Sequence, residues 1–129
     1  MDFDKVFQGY PRVEKVWGTE VILTNRPEYC SKIMLLKKGY QCSLHRHIRK
    51  TETFFILQGR IGVESCIPTE NYQVELLSIE LAPGDPFHVW PGMWHRFWQV
   101  GDEPAVMLEV SSTHSDEDVE RLEPSGPIQ

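Results

Sequence analysis

Four side chains that bind divalent metals stand at a regular spacing: His45 and His47, then Glu52, then His95 well downstream. Successive side chains of a β-strand point to opposite faces, so histidines two apart in a strand project from the same face and can share one ion. The segment Ile48-Arg49-Lys50-Thr51 is short and polar enough to turn the chain and return the Glu52 carboxylate beside the two imidazoles. His95 follows the turn Pro91-Gly92-Met93-Trp94, at the head of another apolar strand, where it can enter from across a barrel. Three nitrogens and one oxygen suit one divalent transition metal, Mn, Fe, Co, Ni or Zn, and in an octahedral ion leave two positions for water or substrate.

The elements that must position these residues read as strands. Short apolar stretches bounded by Gly, Pro, Asn or Asp recur along the chain, giving expected strands at 19–24, 31–36, 43–47, 53–57, 61–65, 74–81, 86–89, 95–100 and 106–111. Nine short strands suit a barrel or jelly roll. Lys38-Gly39, Gln58-Gly59, Pro83-Gly84-Asp85 and Pro91-Gly92 are the expected corners between them. Ser115, followed by Asp116, Glu117 and Asp118, has the look of a helix start and predicts a short helix over 115–122. Thr53 to Leu57, TFFIL, is apolar on successive residues, which predicts that both of its faces are covered. A second copy of the same sheet is the simplest cover for the outer face, giving a two-fold homodimer; the chain's own N-terminal arm is the alternative.

At 129 residues the chain has the size of one domain, 1–129, with a barrel core over about 17–112. With 40% hydrophobic and 25% charged residues it is ordinary for a globular protein. A net charge of -6 offers no basic surface for nucleic acid or an anionic membrane. No run of about 18 apolar residues is present, and MDFDKVFQGY lacks the pattern of a secretory signal, so a cytoplasmic location is expected. Three cysteines, Cys30, Cys42 and Cys66, none in a CxxC pair, argue for buried free thiols rather than disulfides or a zinc ribbon.

The full pattern is Gly39-x5-His45-x-His47-x4-Glu52-x6-Gly59, then Gly84-x6-Pro91-Gly92-x2-His95. It resembles the two motifs of the cupin superfamily at every metal-ligand position, which implies an all-β fold: a cupin β-barrel, the double-stranded β-helix or jelly roll. Further segments resemble the sugar-isomerase branch of small cupins, which holds the cupin domain of type II mannose-6-phosphate isomerases and the D-lyxose isomerases. These are Val16-Trp17-Gly18-Thr19-Glu20, Tyr29-Cys30-Ser31-Lys32, Ser43-Leu44-His45-Arg46-His47, and Leu108-Glu109-Val110-Ser111 followed by 117–123. His45 stands where type II mannose-6-phosphate isomerases often carry glutamine.

The resemblance implies an aldose-ketose isomerase or epimerase acting on a small-molecule substrate, a sugar or sugar phosphate. Such a reaction needs a Lewis acid and a base that moves a proton between adjacent carbons. With Glu52 a ligand, Glu109 is the candidate base, because Met107, Glu109 and Ser111 fall on one face of an otherwise apolar strand. Lys32, in the strand before the first motif, is the second candidate catalytic residue, able to hold a hydroxyl or phosphate. Gln99 shares the expected face of His95 and could hydrogen-bond a sugar, with Phe54 and Phe97 as apolar contacts. His88 and His114 have no ligand-like partner at readable spacing. Two other classes stay open: an Fe(II)-dependent dioxygenase, favoured by a pocket of Phe54, Ile56, Phe97 and Met107, and a metal- or sugar-binding module without turnover.

Overall fold

The computed structural model describes residues 1–66, 75–112 and 115–129. Its architecture is all-β: two antiparallel sheets face one another without closing into a continuous barrel. The strands are β1 (Arg12–Lys15), β2 (Gly18–Asn25), β3 (Cys30–Leu36), β4 (Tyr40–Gln41), β5 (Leu44–His47), β6 (Glu52–Gln58) and β7 (Arg60–Cys66). They continue with β8 (Leu77–Leu81), β9 (Pro86–Val89), β10 (Trp94–Val100), β11 (Val106–Ser111), β12 (Val119–Glu123) and β13 (Gly126–Pro127). One helical turn, α1 (Phe3–Val6), precedes them, and its first turn is closed by the Asp2 carboxylate accepting from the Lys5 N–H. The expected strand at 74–81 begins at Leu77, and Val74, like His114, lies outside the described residues.

The first sheet runs β1-β2-β3-β11-β6-β9. In the second, β10 is central: β7 pairs along one side of it, while β5 and β4 lie end to end along the other, carrying β12 and β13 on their outer edges. Strand alternation sends Met34, Phe54, Ile56 and Met107 of the first sheet and Ile61, Val63 and Phe97 of the second into one shared core. Trp17 closes one part of it, edge-on to Phe97 at a centroid distance of 5.1 Å.

Two glycines hold corners that matter for the site. Gly59, at φ 74° between β6 and β7, sits where an added Cβ would come within 2.9 Å of Ala105 Cα, so both its conformation and its space exclude a side chain. Gly92, at φ 83°, donates its N–H to the His47 carbonyl at 2.7 Å, which ties the turn before His95 to the strand that carries the other two histidines.

The outer face of the first sheet is covered over only part of its width. Phe3 and Phe7 pack on Val21 and Ile33, together with Val106 and Leu108. Beyond them Phe55, Leu57 and Val110 stay exposed, so TFFIL alternates buried and exposed residues within one chain. Both expectations for its cover thus divide: the N-terminal arm reaches β2 and β3, and the β6 face stays open.

The expected helix over 115–122 is corrected. A single 3₁₀ turn at Asp116–Asp118 is followed directly by β12, and Ser115 makes no capping bond with its side chain. The physical reason lies in what residues 118–123 gain as a strand. β12 completes the edge of β5, and the buried Asp118 carboxylate accepts the backbone N–H groups of Arg49 at 3.0 Å and Lys50 at 3.0 Å. Burial alone would raise the Asp118 pKa; the Lys50 and Arg49 N–H groups and the Arg49 and His47 charges outweigh it and hold the pKa below the usual aspartate value of 3.8. A group so depressed contributes stability above its ordinary pKa and loses it as the pH falls through the lowered value. Asp118→Ala is expected to destabilise the fold by about 1–3 kcal/mol, because it orphans buried donors. Denaturant midpoints check this, and Asp118→Asn should flatten the acid limb of the midpoint against pH.

Candidate metal centre

His45 and His95 are directly opposed across β5 and β10, and His47 lies one strand pleat further along β5 on the same face. The ligating nitrogens of the three lie within 4.8 Å of one another. Ring centroids are 4.3 Å apart for His45 and His95, 5.2 Å for His45 and His47, and 5.8 Å for His47 and His95. Glu52, the first residue of β6, comes from the facing sheet: its carboxylate oxygens lie 3.3 Å from His47 Nε2 and 3.2 Å from His95 Nε2.

The tautomers follow from the outer contacts. His45 Nδ1 lies 2.8 Å from the Ser43 carbonyl and His95 Nδ1 3.0 Å from the Met93 carbonyl. A carbonyl only accepts, so Nδ1 carries the proton in both rings and each Nε2 keeps a lone pair turned toward the cluster. Burial, with the neighbouring His95, brings the His45 pKa down to about 3, so this ring is neutral across the physiological range. His47 Nδ1, His95 Nε2 and Glu52 Oε2 are buried without a hydrogen-bond partner among the described residues. Leaving the two acceptors among these, His95 Nε2 and Glu52 Oε2, unpaired is costly, and a cation beside them would satisfy both at once. The donor set present fits a divalent ion.

Around the cluster is a cavity of about 160 Å³. Phe54, Phe97, Trp17 and Met34 form its apolar side, and polar groups form the rest. Glu109 reaches it from β11, buried, with Lys32 directly opposite on β3. The Lys32 ammonium is 3.4 Å from Glu20, the last residue of the segment 16–20 quoted above, which turns inward from β2. Gln99 does not reach the cavity. Its amide donates to the Gly101 carbonyl and its oxygen accepts the Ala105 N–H, so it braces the β10–β11 connection. Four residues along a strand separate it from His95, which is about 13 Å. His88 is likewise remote, on β9 with its Nδ1 2.9 Å from Thr53 Oγ1.

Lys50 is the site residue that sequence spacing missed. It is 3% exposed, and its Nζ lies 2.8 Å from Glu52 Oε1 and 3.4 Å from Glu109 Oε1, bridging the two carboxylates. Burial works against its charge, but Glu109 and Glu52 raise its pKa and keep it an ammonium. The carboxylates divide their roles. Burial pushes Glu109 well above the usual range, reinforced by the Glu52 charge, while the neighbouring Glu109, His47 and His95, with Lys50, overcome burial and hold Glu52 well below it. Glu109 Oε2 has no hydrogen-bond partner among the described residues. Cys42, against the same cavity, accepts the Phe97 N–H, and burial pushes its thiol up to about 12, which leaves it inert.

Comparison with known proteins agrees with this geometry. The chain is 32% identical to a D-lyxose/D-mannose isomerase of Thermosediminibacter oceani, over 76% of this chain and 63% of that protein. It is 31% identical to a D-lyxose ketol-isomerase of Cohnella laeviribosi, over 75% and 63% of the two chains. The chain thus spans less than two thirds of the length of these relatives. Among solved structures, CapF in complex with an inhibitor superimposes with a TM-score of 0.75 at 17% identity, over 89% of this chain and 35% of that one. A mutant of Bacillus subtilis oxalate decarboxylase does so with 0.73 at 22%, over 90% and 31%. A Cupin domain model matches residues 32–111, the span from Lys32 through all three histidines and Glu52 to the end of β11. With that match joined to two facing antiparallel sheets and a histidine cluster on the inner face, the chain belongs to the cupin family.

Proposed function

We propose that this cupin is a divalent-metal-dependent aldose-ketose isomerase acting on a small sugar or sugar phosphate. The observation that carries the reading is the lining of the cavity: Lys32, Lys50, Glu109 and Ser43 surround the histidine cluster with hydrogen-bonding groups suited to a polyhydroxylated molecule. Ile56 and Met107, which would have made an apolar pocket, lie instead in the core behind it. The named D-lyxose isomerases among the relatives support the same chemistry. The oxalate decarboxylase neighbours share the fold, and at 22% identity or less say nothing of the reaction.

His45, His47, His95 and Glu52 would hold the ion, which when bound supplies Lewis-acid polarisation of the substrate's carbonyl and hydroxyl oxygens. The chain's own groups do the rest. Glu109, with one carboxylate oxygen beside Lys50 and the other unpartnered among the described residues, is placed to take a proton from one carbon and return it to the next. Lys50 holds Glu52 and Glu109 in register and balances the charge that Glu109 gains and loses. Lys32 positions a substrate oxygen from the opposite strand. Phe54 and Phe97 close the apolar side and limit water. The open stripe of Phe55, Leu57 and Val110 supports a homodimer as the working assembly.

Elemental analysis of protein purified without added metal, followed by an NMR assay of aldose-ketose interconversion with that metal, tests the reading. Near-stoichiometric metal with interconversion of a pentose, hexose or their phosphates is the expected result. Iron with substrate-dependent oxygen uptake and no sugar turnover would replace it with the dioxygenase, and bound metal with neither activity would replace it with a binding module.

A further inference from the structure

The cavity carries more positive charge than its proposed chemistry uses. Four cations line it, Lys15, Lys32, Lys50 and Arg121, against three carboxylates, Glu20, Glu52 and Glu109. In a chain of net charge -6 this local excess runs against the composition, and a divalent ion would add to it. Two of the cations are engaged: Lys32 with Glu20, and Lys50 with Glu52 and Glu109. Among the described residues, no side-chain hydrogen bond or ion pair engages Lys15 or Arg121.

Their placement is set by strand register. Arg121 of β12 stands directly opposite His45 of β5, which stands opposite His95 of β10. Residues paired across antiparallel strands share a face, so Arg121 extends the row of imidazoles toward the rim, about 5 Å per strand. Lys15 comes from the other sheet, at the end of β1, on the face it shares with Val13. Val13 pairs with Glu20, whose side chain also lines the cavity. The two unengaged cations thus border the same opening from opposite sheets, and both are exposed.

The geometry points to Arg121 and Lys15 as a recognition site for a phosphate monoester at the far end of the substrate, so that the molecule taken is a sugar phosphate rather than a free sugar. This rests on the sugar-isomerase reading above and narrows its substrate class. A phosphate monoester carries about -1.5 to -2 charge near neutral pH and matches two cations, the planar fork of an arginine in particular. A free pentose or hexose would leave both cations without a partner.

The test is calorimetric binding to the metal-loaded protein, with polyhydroxylated ligands that have no aldehyde or ketone to isomerise: ribitol, ribitol 5-phosphate, and ribonate as the carboxylate comparison. The expected result is tighter binding of ribitol 5-phosphate than of ribitol by about tenfold or more, weakening with added salt. The preference should disappear in the Arg121→Gln, Lys15→Gln double variant, whose changed positions are exposed and leave the core untouched. Equal binding of the two polyols, a preference that survives in the double variant, or tighter binding of ribonate than of ribitol 5-phosphate each overturns the assignment. The parent reading fails separately. Phosphate-dependent binding without turnover of any sugar phosphate removes the isomerase and leaves the anion site, whereas turnover of free sugars with no phosphate preference does the reverse.

Discussion

Glu109→Gln is expected to lower kcat by about 10²–10⁴-fold while metal content stays at the wild-type level, because the amide keeps the volume and a hydrogen-bonding oxygen but cannot carry a proton. The residue is buried on β11, off the histidine cluster, and one of its oxygens already faces Lys50. A loss confined to kcat, with the protein folded and loaded, marks a proton carrier. Loss of less than about fivefold would remove Glu109 from the chemistry and move the search for a base elsewhere. Single-turnover kinetics with substrate deuterated at the carbon that loses its proton check the assignment independently, since a primary isotope effect should grow when proton transfer slows.

The second large effect is on metal itself. His95→Ala removes a ring that is 1% exposed and whose Nδ1 is anchored to the Met93 carbonyl, and it should weaken metal binding by more than the about 10–100-fold typical of losing an outer contact. Chelation of the wild type should lower Tm, because an ion held at a hundred times its Kd stabilises by about 2.7 kcal/mol. In the His95→Ala variant the chelator should produce almost no shift. Unchanged metal stoichiometry in that variant, or a wild-type Tm indifferent to chelation, would sink the metal centre formed by His45, His47, Glu52 and His95.

The parts of the site that periodicity controls were legible before any coordinates. His45 and His47 share a face because strand side chains alternate, and Met107, Glu109 and Ser111 turn inward together for the same reason. Lys50 was not legible: it lies in the connection between β5 and β6, where no period dictates direction, and only the bonds of its backbone to Asp118 show why it is held inward. Gln99 shows the opposite failure. Face was inferred correctly from alternation, but distance along the strand carried its amide to the far end of β10.

Arg121 was concealed by a competing local signal. Ser115 and the acidic residues after it satisfy the local rules of a helix start, yet the segment becomes a strand because the open edge of β5 and the N–H groups of Arg49 and Lys50 offer more bonds than one helical turn can. By itself the sequence determined the all-β class and the strand alternation that turns His45 and His47 to one face, since each depends on neighbours within a few positions. Only the tertiary structure decided that Glu52 meets the histidines from the facing sheet, that Lys50 bridges it to Glu109, and that Arg121 and Lys15 border one opening. Those relations depend on strand register between segments as much as 106 positions apart in the chain, from Lys15 to Arg121, and register is set by the packing of two sheets rather than by any local preference.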